Sequence, residues 1–154
     1  MKVTKTVTGT EPVTLAEAKE YLRVFHDTED NVITQMITNA RKVLEMSTGL
    51  SLVEQTIEIR TVIRDSFTLP YGPISSVTFA TIDDVYIDDD YIDEETGIIK
   101  GTGVLDAMYE AGPYECKIAM LELVSFYYWN RGGGQLPETV KMWIANNTRN
   151  LWLQ

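Results

Sequence analysis

Three groups of residues carry enough chemistry to be weighed as a site: the single histidine, the single cysteine, and a run of carboxylates in mid-chain. Nucleophilic catalysis needs a base beside the nucleophile. His26 lies in the acidic stretch "FHDTED", and Cys116 stands far along the chain with no second histidine to serve it. Nothing in their spacing pairs them, so both read as structural or solvated positions. The carboxylates Asp83, Asp84, Asp88, Asp89, Asp90, Asp93, Glu94 and Glu95 crowd residues 83–95. Hard cations such as Ca²⁺ take several carboxylate oxygens at once. An EF-hand loop, however, needs acids at alternate positions, then a glycine, then a distant glutamate, and "DDDYIDEETG" does not follow that pattern. The plain reading is the solvated tip of a hairpin. The sharper alternative is a metal-binding or carboxylate-dependent enzyme centred on Asp88, Asp90, Asp93 and Glu94, a glycosidase-type acid pair included.

The remaining motifs are weaker. "RGGGQ" at 131–135 is followed by no Gly-Lys-Ser/Thr, so it reads as a helix stop rather than a phosphate loop. "NNT" at 146–148 matches a glycosylation acceptor, but the polar start "MKVTKTVTGTEP" is no secretory signal, and the match reads as chance. No catalytic constellation, metal or cofactor is expected.

The elements that must position these residues are legible in the hydrophobic periods. Residues 2–8 are β-prone. In "PVTLAEAKEYLRV" Thr14 and Glu17 form a capping box, and Leu15, Ala18, Tyr21 and Leu22 mark an apolar face for a helix over about 15–24. Asp27 or Thr28 caps a second helix, whose apolar face holds Val32, Ile33, Met36, Ile37, Ala40, Val43 and Leu44 and which ends at Gly49. The short connection makes 14–49 a helical hairpin, so the opening helix leans on its longer neighbour. From "LVEQTIEIRTVI" the period changes to two, with Val53, Ile57, Ile59 and Ile63 on one face. "LPYGPIS" is a turn region, "SSVTFATI" a strand, "VYIDDDYIDEETGIIKG" a strand, turn and returning strand, and "VLDAMYEAG" closes the sheet. "CKIAMLELVSFYYWNRGGG" is apolar nearly all the way round, the mark of a helix buried by its own domain or by a partner, and three glycines stop it. A last helix runs over about 137–151 behind Pro137. Trp129 and Trp143 read as core. Leu151, Trp152 and Leu153 sit where chains fray unless tied down, so they read as a dock onto this chain's own core or onto another subunit or protein.

Together these give an α+β fold: an N-terminal helical hairpin, a central small antiparallel β-sheet, a buried helix and a C-terminal helix. Its 154 residues suit a single domain over 1–154, with the hairpin at 14–49, the β region at 52–112 and the C-terminal helices at 115–154. A chain this long buries roughly 70% of its unfolded surface without a metal or disulfide staple. One cysteine allows no intramolecular disulfide and fits a reducing cytosol. No apolar run approaches a membrane span. The net charge is −10, with 13 basic against 23 acidic residues, so no DNA-binding surface is expected. An acidic surface keeps a protein soluble or lets a polyanion pass without sticking.

One longer stretch, "TVTGTEPVTLAEAKEYLRVFHDTEDNVITQMITNARKVLEMSTGLSLVEQTIEI", resembles the opening of the tailed-bacteriophage head–tail connector (adaptor, head completion) family. That family opens with a strand, then V-T-L-x-E-A-K-x-x-L-R-V, a short acidic stretch, a long helix ending in T-G, and a strand carrying Q-T-x-E. Further on, "LPYGPISSV", "YIDEETGII" and "FYYWNRG" echo its L-P-x-x-P-I-x-S-V, Y-x-x-D-x-x-x-G-x-I and W/Y-x-N-R in the same order. The chain departs at "LDAMYEAGPYE", where only Tyr109, Ala111 and Gly112 keep the family's T-Y-x-A-G. The resemblance implies a structural virion protein at the head–tail interface, made in the bacterial host's cytoplasm. It implies a dodecameric ring under the portal that lengthens the DNA channel, passes double-stranded DNA without specific binding, and offers a platform to a tail-side completion or stopper protein. The N-terminal hairpin would supply a stiff wall and a neighbour contact. Arg149, Leu151, Trp152 and Leu153 would dock on the portal protein. Asp88, Asp89, Asp90, Asp93 and Glu94 would face the channel or the tail-side rim. A small modulator of a host protein is the remaining alternative; it shares the apolar tail but forms no ring.

Overall fold

The computed structural model of the chain describes residues 2–60, 66–68, 71–80, 92–93, 98–100, 104–109, 116–131 and 133–148. The chain divides into two compact units, one of Met1–Thr10, Val53–Gly112 and Asn150–Gln154, the other of Glu11–Leu52 and Pro113–Arg149.

The first unit is built of strands: β1 (Lys2–Val7), β2 (Gln55–Arg60), β3 (Ser66–Thr68), β4 (Ile74–Ala80), β5 (Ile92–Asp93), β6 (Ile98–Lys100) and β7 (Val104–Tyr109). Among the described residues they form an antiparallel four-stranded sheet in the order β1-β2-β7-β4 and a three-stranded one in the order β3-β6-β5. The expected β-segment at "VLDAMYEAG" does not close the sheet. Its strand β7 lies inside it, with Ala107 paired to Ile57 on one side and to Val77 on the other. Strand β3 was not expected, because its three residues are too few to show a period. Ile57 is fully buried, as its alternation requires, and Gln55 is buried on the same side of the strand. At the exit of β1 the chain hugs the entry to β2: the Thr8 and Gly9 amides both donate to the Glu54 carbonyl, at 3.0 and 2.9 Å. A Cβ on Gly9 would stand 2.9 Å from Glu54 Cβ, so this close approach needs glycine. The turn region ahead of β4 contains a cis Gly72–Pro73 bond.

The second unit is helical: α1 (Leu15–Leu22), α2 (Asp30–Thr48), α3 (Cys116–Asn130) and α4 (Glu138–Asn147). Its core joins Ile33, Ile37, Ala40 and Leu44 of α2 to Ala119, Met120, Leu123 and Val124 of α3, with Ala18, Leu22 and Val140 completing it. The capping box forms as expected: the Glu17 amide donates to Thr14 Oγ1 at 3.2 Å, and the Thr14 amide donates to Glu17 Oε2 at 2.8 Å. Gly49 ends α2 in the left-handed region, φ 72°.

Several expectations are corrected. Helix α1 stops at Leu22, where Arg23 turns left-handed at φ 60° and its amide donates to the Glu20 carbonyl. Neither Asp27 nor Thr28 caps α2; Glu29 holds that position without a side-chain bond, because Asp27 is drawn to Lys19 at 2.7 Å. Tyr21 and Val32 are about half exposed, at the margins of their stripes. Helix α3 is the expected buried helix, with Ala119, Met120, Leu123 and Val124 in the core, but Ile118 and Trp129 are 69% and 68% exposed, so Trp129 is not core. It ends at Arg131, left-handed at φ 46°, before the glycines begin. Helix α4 ends at Asn147, short of the expected 151, with Pro137 as its N-cap and Thr148 extended. There Asn147 Nδ2 and Thr148 Oγ1 donate to the Trp143 and Ile144 carbonyls, and such back-bonding competes with the helix ladder.

The helical unit also buries charge. Arg41 and Glu45, one turn apart on α2, are 3% and 1% exposed. Arg41 Nη1 donates to Glu45 Oε2 at 3.0 Å, and its Nε donates to Glu11 Oε2 at 2.8 Å. Glu45 Oε1 accepts the Leu52 amide at 3.0 Å, and Glu11 Oε1 accepts the Thr38 hydroxyl at 3.2 Å. Each charge is thereby compensated and hydrogen-bonded, the condition under which burial is tolerable. Arg41→Ala takes the guanidinium from the buried Glu45 carboxylate and is expected to cost about 3–5 kcal/mol in urea denaturation. The double change Arg41→Met with Glu45→Leu is expected to cost less than that single one. A second expectation concerns acid. The Thr14 amide above all, then Lys117 and the Thr14 hydroxyl, hold the Glu17 carboxyl at about 2. The ionised form is the one favoured by folding, so its contribution is complete above about pH 4.5 and is lost as the pH falls toward about 2. Thermal melts of Glu17→Gln should show a shallower loss of stability over that window than the parent.

Candidate interaction surface

The helical unit is tied together by polar latches that face outward. Lys19 Nζ bridges Asp27 and Asp30, both at 2.7 Å, across the α1–α2 turn. The Asp27 and then the Asp30 bond raise the lysine's pKa, and the same contact lowers that of Asp27. Lys117 reaches from α3 to Glu17 Oε1 at 2.9 Å. Tyr128 donates its hydroxyl to Glu29 Oε2 at 2.6 Å, and that bond pushes the tyrosine's own pKa up. The start of α2 is thus pinned beside the end of α3.

A groove of about 790 Å³ opens between those two segments. Glu29, Val32, Met36 and Asn39 line it from α2, and Tyr127, Tyr128, Trp129 and Arg131 line it from the α3 end. Trp129 stacks edge-on against Tyr128, with ring centroids 5.1 Å apart. On the outer side of α3 a shallower groove of about 240 Å³ is walled by Tyr21, Phe126, Trp129 and Pro137, with Glu122 and Ser125 along it. Trp129 borders both. Phe25, at the α1–α2 turn, is 89% exposed and Met46 is 77% exposed. Exposed apolar side chains grouped around these grooves point to protein–protein contact rather than to chemistry.

The residues first weighed for chemistry do not converge. Cys116 is buried at the start of α3, and burial pushes its thiol pKa up, the opposite of what an activated nucleophile needs. His26 is half exposed and its Nε2 lies 3.6 Å from Glu29 Oε2. Of the carboxylate run, only Asp93 falls within a described element: it sits on β5 opposite Ile98. Asp88, Asp89, Asp90 and Glu94 lie outside the described residues, as do Arg149, Leu151, Trp152 and Leu153. Among the described residues, no three His, Cys, Asp or Glu side chains are placed to share a metal ion. No described helix is long and apolar enough to cross a membrane. The groove itself was not located in the sequence, where Trp129 reads as core; the available signal was the apolar helix that its own domain or a partner must bury. In the isolated chain Trp129→Ala is expected to shift stability by no more than about 1 kcal/mol, against about 2–5 kcal/mol for Leu123→Ala, both read from urea midpoints.

The fold matches solved structures over nearly its whole length. It aligns with a chain in the neck of an empty gene transfer agent particle computed with C6 symmetry, at TM-score 0.72 and 19% identity, covering 96% of this chain and 95% of that one. A chain in the virion of a native gene transfer agent particle aligns at TM-score 0.71 and 19% identity, with 96% and 95% covered. A chain in the neck of the native particle computed with C12 symmetry gives TM-score 0.70 and 17% identity over the same shares. No curated protein sequence matches the chain. At the level of sequence, residues 12–139 match the family described as phage gp6-like head-tail connector protein, and the chain belongs to that family.

Proposed function

We propose that copies of this chain assemble as a ring beneath the portal, lengthen the DNA channel there, and present a platform for the next tail-side protein. The observation that carries this reading is the family match over residues 12–139, which takes in both the helical and the β unit. The chain is a structural connector of the virion's head–tail interface rather than an enzyme. The C12 symmetry imposed on one similar neck supports twelve copies, one for each subunit of a dodecameric portal. A ring of this kind is closed by heterologous contacts, in which one face of each copy meets a different face of the next.

Two sets of residues take roles within the reading. Arg149, Leu151, Trp152 and Leu153 form the portal-docking segment, a cation and three large apolar side chains following the end of α4. Asp88, Asp89, Asp90, Asp93 and Glu94 face the channel or its tail-side rim. With a chain charge of −10, they repel the DNA backbone and let it slide without specific binding. The test is co-sedimentation with the intact portal oligomer encoded in the same genome. About one copy per portal subunit is expected. Removing 149–154 should leave the melting curve intact and abolish co-sedimentation; full binding by the truncated chain would refute the docking role of that segment.

A further inference from the structure

Two outward stripes of the helical unit lie on the sides of α2 and α3 that face away from its core. On α2, Val32, Gln35, Asn39, Lys42 and Met46 recur at helical spacing on the side away from Ile33, Ile37, Ala40 and Leu44, and all five are exposed. On α3, Ile118, Glu122, Ser125 and Trp129 recur on the side away from Met120, Leu123 and Val124, with Ile118 and Trp129 the most exposed. Because α2 and α3 pack on each other through their buried faces, the two stripes look in different directions, which a heterologous contact requires.

We propose that these stripes are the two sides of the contact between neighbouring copies. Helix α2 of one copy lies antiparallel in the shallow outer groove along α3 of the next, so that Met46 meets Ile118, Lys42 meets Glu122, Asn39 meets Ser125, and Gln35 meets Trp129. The register follows from the sequence. Counting back from Met46, the stripe falls at the fourth, seventh and eleventh residues; counting forward from Ile118, it falls at the same steps. An antiparallel pair therefore brings all four positions into line at once. The chemistry matches at each step: apolar on apolar at one end, cation on anion, amide on hydroxyl, and amide on indole at the other end. Lys42 makes no ion pair among the described residues. Glu122 accepts the Thr139 hydroxyl, which holds its carboxylate at the groove. Tyr21 and Pro137 line the same groove.

The same pairing already exists inside each copy. There α2 and α3 pack through their core faces, and the Glu29–Tyr128 bond joins the start of α2 to the end of α3, the relation of antiparallel neighbours. The contact between copies repeats that relation, and the ring acquires a continuous belt of alternating α2 and α3 helices. This inference rests on the ring reading above and deepens it.

The experiment uses the full chain assembled on the intact portal oligomer, with particle mass and negative-stain images as readouts. Lys42→Glu and Glu122→Lys each set like charges across every contact, so either alone should lower ring formation by about tenfold or more. Mixed one to one, the two variants should restore it, because alternate copies then present opposite charges at each contact. The double variant in a single chain should restore it too. Melting curves like the parent's establish that the variants are folded. A disulfide test covers the case in which Glu122→Lys does not fold: Met46→Cys with Ile118→Cys, in a Cys116→Ala background, should give a ladder of cross-linked multimers on oxidation. Rings formed undiminished by the single reversals, or a cross-linked product confined to the monomer, would overturn the α2–α3 pairing while parental rings still upheld the proposed function. A parent that binds no portal and forms no ring would overturn both.

Discussion

The helical unit depends on one buried cation. Arg41 stands in the middle of α2 and reaches Glu11 ahead of α1 and Glu45 one turn on, while Glu45 in turn holds the amide of Leu52 after α2 has ended. One guanidinium thereby fixes where the chain enters the unit and where it leaves. A hydrophobic core would supply the same cohesion without direction. Ion pairs in low dielectric are demanding about geometry, and here that demand helps set the paths of two connections that also lend Val13 and Leu52 to the core. The latches on the surface repeat the scheme at lower stakes: Lys19 across the α1–α2 turn, Lys117 onto the capping box, Tyr128 onto Glu29.

That arrangement lets the unit act as a stiff building block. Two of its helices, α1 and α4, are short, and isolated helices below about 12–15 residues are marginal in water. The eight residues of α1 persist because Thr14 and Glu17 satisfy its first turn, Lys117 ties that same glutamate to α3, and Ala18 and Leu22 are buried in the core. A structural connector at a head–tail interface needs contacts that hold their geometry, and the buried Arg41 network adds direction to the close-packed core.

Much of this was legible in the sequence, and the reasons are specific. The capping box and Gly49 bound α1 and α2 because both signals are local and act through the backbone. The period of two announced β2, and the family resemblance carried the function. What escaped was whatever depended on distant residues. Arg41 and Glu45 sit on the same side of α2 as Ile37, Ala40 and Leu44, and two charges on an apolar face are a readable sign of a buried pair; their partner Glu11 is not readable. The central place of β7 follows from pairing with strands far away in sequence, which no local pattern encodes. The end of α4 was misplaced because a run of helical spacing concealed two side chains that back-bond to their own helix. The exposure of Trp129 went unseen because apolar composition says that a helix is covered without saying by what.

The interleaving of the two units has a consequence for synthesis. Each unit is assembled from separate stretches of chain, with β2 to β7 lying between α2 and α3. On a ribosome moving at about 5–20 residues per second, the helical hairpin emerges several seconds before the helix that covers it. During that interval the face bearing Ile33, Ile37, Ala40 and Leu44 lacks the helix that will bury it. The guanidinium and carboxylate on the same face make it a poorer target for wrong apolar partners, so the pair that steers the finished fold also guards the nascent one.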